Sequence, residues 1–288
     1  MRNIVAEAVL LASTVTAFTD VVHKRFMVKN IDPIVLPGTY KSHMHSFFGS
    51  DAVTKDLPTT EELQKGCPSG ENPNDLSAYC KYVEIPTLYY VNGDKYIEVN
   101  PVMFSTYYEN IGNAEIPFPR DFFAVAGNAS AKSQDDINER VNGITWWCET
   151  GPEDRTSRPR AALPQATCNT HIQAILRFPD CVNVGDIKKY TYVATNGGRC
   201  PAGMKRIPQL RFSVRYDVRR IIPQGWKGPP PLKLACGEIG DATSGRDFLR
   251  IDGSHGQGKA GSSCKPKDAD PGNGTSDYAT SLQMMRSG

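Results

Sequence analysis

Proline and glycine recur too often along this chain for long helices to form. Twenty-one prolines and 25 glycines are spread through its 288 residues, and a proline inside a helix removes a backbone donor and clashes with the turn before it. Between these breaks lie short runs of apolar or alternating residues, the signature of strands. Such runs occur at 34–35, 81–85, 88–91, 95–99, 122–126, 171–178, 190–194 and 207–218, and Asn92-Gly93-Asp94 suits a tight hairpin. Helix is expected only at 59–66, where Thr60 would cap Glu61-Glu62-Leu63, and at 133–141. The implied fold class is all-β, an antiparallel β-sandwich with short helical excursions. A hydrophobic content of 39% is enough for its packed core.

The eight cysteines are Cys67, Cys80, Cys148, Cys168, Cys181, Cys200, Cys236 and Cys264. Their number is even, no Cys-x-x-Cys occurs, and the closest neighbours are separated by 12 residues. This is the spacing of a disulfide framework rather than of a zinc site. Cys67 with Cys80 and Cys181 with Cys200 are the first pairings to expect, as short local loops. The N-terminus agrees with an oxidising destination. Met1-Arg2-Asn3 is a basic start, Ile4 to Phe18 runs mostly apolar apart from Glu7, and Val15-Thr16-Ala17 has small-residue cleavage spacing. The chain therefore divides into a signal peptide at 1–17, a single β-rich domain at 18–252, and a low-complexity, flexible tail at 253–288 tethered at Cys264.

The expected product is a secreted, extracellular, disulfide-bonded monomer. No later segment approaches the ~18 apolar residues of a membrane helix, so no membrane span is expected. A formal charge of +2 lacks the concentrated Lys and Arg that phosphate binding requires. The arginines between Arg206 and Arg220 alternate with apolar residues, as on the solvated face of a strand. The sequons Asn128-Ala129-Ser130 and Asn273-Gly274-Thr275 suit a glycoprotein.

The chemically pointed feature is Ser42-His43-Met44-His45-Ser46, which holds two of only five histidines. In an extended segment residues two apart share a side, so His43 and His45 would project together as two ligands of a divalent metal or as an acid/base pair. The bland alternative is a pair of hydrogen-bonded histidines ordering the Pro37-Gly38 turn. A third member could be His255, Asp51, Asp247 or Asp252, whereas His23 and His171 fit structural roles better.

The same region carries a resemblance. Asp32-Pro33-Ile34-Val35-x-Pro37-Gly38, Ser42-His43-x-His45 and Gly49, then Thr59-Thr60, Leu63, Cys67 and Asp75-x-Ser77-Ala78-Tyr79, resemble the opening of the domain-of-unknown-function family numbered nineteen ninety-six. Tyr107-Tyr108, Pro117-Phe118-Pro119, Ala126-Gly127-Asn128, Trp147-Cys148, Phe178-Pro179-Asp180-Cys181, Cys200-Pro201 and Ile207-Pro208-Gln209-Leu210 continue it in order to about residue 218. Such domains are typically secreted by filamentous fungi and some bacteria and are often joined to WSC or other carbohydrate-binding modules. The resemblance thus implies a cell-wall or polysaccharide setting and names no reaction. The chain departs from it at Cys80 and Val182, where tryptophan is usual, and at Tyr190 or Tyr192, where a histidine is usual. In Ser254-His255-Gly256-Gln257 the distal acidic residue is absent. Cys80 and Cys236 could form an added disulfide.

Two functions follow as expectations. In the first, the chain is a carbohydrate-active enzyme in which His43, His45 and His255 move protons, or His43 and His45 hold a metal. A two-carboxylate variant would draw on Asp32, Asp75, Glu238 or Asp241. In the second, it is a non-catalytic glycan-binding or structural wall protein whose doublets Tyr89-Tyr90, Tyr107-Tyr108 and Trp146-Trp147 each turn one ring outward. A secreted effector is a third possibility. The expected partner is polysaccharide or cell-wall glycan in either of the first two.

Overall fold

The structure, a computed structural model, describes residues 19–70, 82–127, 137, 143–149, 161–235, 247–251 and 264–287. In chain order its strands are β1 (Thr19–His23), β2 (Met27–Lys29), β3 (His45–Gly49), β4 (Tyr82–Pro86), β5 (Leu88–Asn92), β6 (Lys95–Glu98), β7 (Pro101–Glu109) and β8 (Phe122–Ala126). They continue as β9 (Ile144–Cys148), β10 (Ile172–Arg177), β11 (Cys181–Asn183), β12 (Asp186–Thr191), β13 (Lys205–Arg206), β14 (Gln209–Tyr216), β15 (Leu232–Leu234) and β16 (Asp247–Ile251). The helices among the described residues are α1 (Thr60–Lys65) and α2 (Tyr278–Arg286).

Two five-stranded sheets form the sandwich, one ordered β1-β7-β14-β10-β9 and the other β2-β3-β4-β16-β8, and their pairings are antiparallel. Two three-stranded sheets flank them. Alternate residues of β7 from Phe104 onward, and of β14 and β10, turn inward: Phe104 and Tyr108, Leu210, Phe212 and Val214, Ile172, Ala174 and Leu176. The opposite sheet supplies Phe48, Val83, Phe122 and Ala124 to the same core. Phe48 stacks on Phe104 at 4.0 Å, Phe104 meets Phe212 at 5.1 Å, and Phe178 meets Phe212 at 4.6 Å. This chain of rings crosses from one sheet to the other.

Local expectations were met in most places. The hairpin between β5 and β6 pairs Asn92 with Lys95 around Gly93, whose φ of +60° suits glycine. Residues 34–35 form a turn instead of a strand, because Asp32 Oδ1 accepts from the amides of Ile34 and Val35 at 3.2 and 2.7 Å and closes the chain locally. α1 starts one residue earlier than expected. Thr59, not Thr60, is the N-cap, because Glu62 reaches back to the Thr59 amide and completes a capping box. The expected helix at 133–141 lies outside the described residues, apart from Ile137, as does the proposed leader at 1–17.

Cys181 pairs with Cys200 as expected, and Cys148 pairs with Cys168. Cys67 pairs not with Cys80 but with Cys264, 197 residues away. Sequence proximity does not select the partner of Cys67, because tertiary packing brings the distant Cys264 segment beside it. Cys80 and Cys236 lie outside the described residues.

Beyond Cys264 the chain carries more structure than its composition suggests. Asp268 pairs with Lys29, Asn30 donates its backbone amide to Thr275, and the Thr275 amide donates back to the Asn30 side chain at 2.7 Å. α2 then lowers Tyr278 into a cluster with Met44, Tyr89 and Ala235. A single well-placed aromatic and a few polar bonds thus seat a segment with little apolar content of its own.

Two outcomes follow. Phe104→Ala removes the ring that joins the sheets and should lower stability by about 3–5 kcal/mol in denaturant unfolding. Docking of residues 268–286 should be pH-limited on both sides. Partial burial first, then the bond that the Tyr40 hydroxyl donates to Asp270, pushes the Tyr40 phenol up to about 12. The same bond, followed by the Asn273 amide, holds the Asp270 carboxyl below its ordinary 3.8. The Tyr40 contribution is complete below pH 10 and lost as pH rises through about 12. The Asp270 contribution is complete above its ordinary value and lost as pH falls through its depressed folded value. Amide protection factors of 268–286, taken relative to the intrinsic exchange rate at each pH, should therefore be largest between about pH 4 and pH 10.

Candidate functional site

β3 positions the histidine pair. His45 is its first residue, so His43 stands just ahead of the strand rather than on it. The two rings nevertheless lie 4.2 Å apart, tilted by 45°, on one side as alternation requires. Both are enclosed, with 6% of His43 and none of His45 exposed. His45 Nδ1 is 2.8 Å from the carbonyl of Ile31. A carbonyl only accepts, so Nδ1 carries a proton, and when the ring is neutral the lone pair is on Nε2. Nε2 is then the atom that would face a metal or take up a proton.

Strand register brings other ionisable groups to the same side. Directly opposed residues share a face; Lys29 opposes His45 on β2, and on β4 Glu84 opposes Phe47. Glu84 is therefore diagonal to His45, about 7–8 Å away by the usual spacing of such positions. Lys29 is 3% exposed and Glu84 fully buried. The Lys29 ammonium donates to both oxygens of Asp268, at 3.0 and 2.8 Å, and to the carbonyl of Asp270. This face is covered by a second apolar cluster, with Phe47, Met27, Ile31 and Val53 packed under Leu63 of α1. Glu84 could not be read from sequence. In Tyr82-Val83-Glu84-Ile85-Pro86 a lone carboxylate alternating with apolar residues looks like the wet side of a strand; here α1 covers that side.

The remaining candidates are dispersed. His255, Asp75, Glu238, Asp241 and Asp252 lie outside the described residues, as does the side chain of Asp247. Asp51 is engaged by the amides of Cys67 and Lys267, at 2.6 and 3.1 Å, and Asp32 holds the turn described above. His23 Nε2 meets Thr106 Oγ1 at 3.1 Å. His171 Nδ1 meets Glu149 Oε2 at 2.8 Å. Tyr190, at one of the positions where a histidine was expected, accepts the Val125 amide at 3.1 Å, and Tyr192 donates to the Arg177 carbonyl at 3.1 Å. Among the described residues no group of three or more His, Cys, Asp and Glu side chains could hold a metal ion. A divalent metal on His43 and His45 would need a donor from elsewhere.

A second polar surface lies on the outer face of the other sheet. Of the three aromatic doublets, two split as alternation predicts: Tyr108 and Trp146 enter the core while Tyr107 and Trp147 point the other way. The third does not, since Tyr89 packs against Tyr278 at 4.3 Å and Tyr90 packs against the core. Across the strands, Arg211 opposes both Tyr107 and Arg177, and Arg215 opposes Met103 and Gln173, with Trp147 next to Gln173. Between these rows runs a line of shorter side chains, Ser105, Ser213, Ile175 and Thr145.

The charges on this face are paired. Glu109 meets Arg211 at 2.9 Å and Arg177 at 3.4 Å, which relieves the two directly opposed guanidiniums. Glu149 likewise joins Arg215 and His171. The Arg211 guanidinium lies 3.9 Å over the Tyr107 ring.

The family described as Domain of unknown function (DUF1996) matches residues 32–250, a span that includes both surfaces. No curated protein and no solved structure matches the chain.

Nitrogen-edited imidazole spectra at neutral pH should show His45 as the Nδ1–H tautomer, with that proton slow to exchange. Absence of an Nδ1–H signal for His45 would contradict the bond to Ile31.

Proposed function

The chain belongs to the DUF1996 family, and from that premise we propose that it is a secreted protein of the cell wall or of a polysaccharide matrix that binds glycan on the outer face of the β1-β7-β14-β10-β9 sheet. The observation that carries this reading is the shared outward direction of Tyr107 and Trp147 on one face, with hydrogen-bonding arginines, glutamates and Gln173 between them. Aromatic rings stack on the C–H faces of sugars, and the flanking groups offer donors and acceptors to hydroxyls. The three disulfides among the described residues suit an extracellular, oxidising location, and no helix of the described residues is long and apolar enough to cross a membrane.

A second reading, catalysis on the bound polysaccharide, is favoured by the imidazole pair with Glu84 on one sheet face. His45 Nε2 would take a proton from the sugar while Glu84 or His43 completes the acid/base set, with His255 as the distal member. The enclosure of both rings weighs towards binding as the primary role.

Both readings can be separated with the purified chain. Sedimentation with insoluble wall polysaccharides should retain it, and Tyr107→Ala and Trp147→Ala should each weaken retention about tenfold, the equivalent of about 1–1.5 kcal/mol of stacking. Retention of neither the parent nor the variants on any polysaccharide would end the binding reading. Catalysis requires new reducing ends or unsaturated sugars that disappear in His45→Ala and Glu84→Gln.

A further inference from the structure

We infer that Asn273 carries an N-linked oligosaccharide, attached before the C-terminal segment docks; this rests on the secretion reading above and adds a modification site to it. Asn273-Gly274-Thr275 is an acceptor triplet for glycosyl transfer in the secretory pathway. The triplet alone is a weak signal, and its placement is what supports use. Asn273 is exposed, as are Pro271, Gly272 and Gly274 around it. The space beside it is open, since a Cβ added to Gly272 would meet no atom within 4 Å. The inner side of the same turn is closed. Gly274 has a φ of +71°, and a Cβ there would lie 2.8 Å from Asn30 Oδ1 and 2.8 Å from the Tyr40 ring. Only glycine suits that position, so the turn rests on its glycine and holds its asparagine towards solvent.

The product of transfer fits this turn. Of the two hydrogens on Asn273 Nδ2, one is donated to Asp270 Oδ1 at 2.7 Å. In the transfer, Nδ2 forms a bond to the anomeric carbon of a polyprenyl-diphosphate-linked oligosaccharide. The bond from that carbon to the diphosphate oxygen breaks, the diphosphate leaves with the electron pair, and the amide gives up one proton to solvent. Nothing is oxidised or reduced. One N–H remains for Asp270, and the sugar occupies the open side.

The reaction itself does not fit the docked turn, because the triplet is recognised through its threonine as well as its asparagine. Thr275 is half-buried. Its amide donates to Asn30 Oδ1 at 2.7 Å, its carbonyl accepts from the Asn30 amide at 3.3 Å, and its Oγ1 accepts from the Asp277 amide at 3.0 Å. Presenting that residue to an enzyme requires the segment to open locally. Sugar addition therefore comes first and docking second.

Export of the full chain from a eukaryotic host, followed by release of N-glycans in heavy-oxygen water and peptide mass spectrometry, tests this. Position 273 should carry the heavy-oxygen label that marks a released glycan, and the label there should be lost completely in Thr275→Ala and in Asn273→Gln. Tyr278→Ala, which unseats α2, should leave occupancy at position 273 equal or higher. Lower occupancy in that variant would overturn the order of events, since it would mean that the docked turn is the substrate. Should Tyr278→Ala not be exported, Tyr40→Phe, which removes the bond to Asp270, serves the same comparison. Exported parent chain with position 273 unlabelled would overturn the inference while leaving secretion intact. A chain retained in the cell and free of carbohydrate would overturn both.

Discussion

The run of phenylalanine rings between the two sheets sets much of the remaining geometry. Phe48 against Phe104, and Phe104 and Phe178 against Phe212, fill the space between layers with rigid, high-area side chains that tolerate little displacement. Because strand side chains alternate with a strict period of two, fixing one inward residue fixes the parity of its whole strand. With Phe104 and Phe212 inward, Tyr107, Arg211 and Arg215 must stand on the outer face. With Phe48 inward, His45 and Phe47 must turn away from that core. One packing contact therefore dictates the facing of both polar sets; a slip of one residue in β7 would bury its polar set and expose the apolar one, and in β3, buried on both faces, it would exchange the histidine face with the phenylalanine core.

The outer sheet face was therefore the more legible of the two. Alternation in Arg211-Phe212-Ser213-Val214-Arg215 and the adjacent aromatic doublets can be read by counting, because a strand with one wet face writes its orientation into sequence. The histidine pair was legible as a motif, and its shared side followed from the same periodicity. Its burial was not, since α1 and the C-terminal segment cover it from far along the chain. Glu84 and Lys29 were missed for that reason. Each looks like an ordinary solvated residue until the layer above it is known. The Cys67–Cys264 bridge was missed because its closeness depends on tertiary packing, whereas Cys181–Cys200 closes around a hairpin and could be inferred locally.

Burying an ammonium, a carboxylate and two imidazoles under an apolar cluster costs stability unless partners compensate. Asp268 supplies one such partner to Lys29, and the Ile31 carbonyl supplies another to His45. That part of the fold is thus held by directional bonds in addition to its own apolar cluster, whereas the space between the sheets is filled by non-directional packing alone.

The C-terminal segment has a consequence for solubility as well. β2 is an edge strand, and an open edge invites pairing with another chain. Residues 268–275 sit at its end and bond to Lys29 and Asn30. Their tether, Cys264, is four residues from Asp268 and covalently joined to Cys67. When the polar contacts let go, the segment cannot diffuse away, and its high effective concentration favours recapture over invasion by a neighbour's strand. The disulfide thereby acts as a guard against strand-to-strand association, a task separate from any it has in holding the fold.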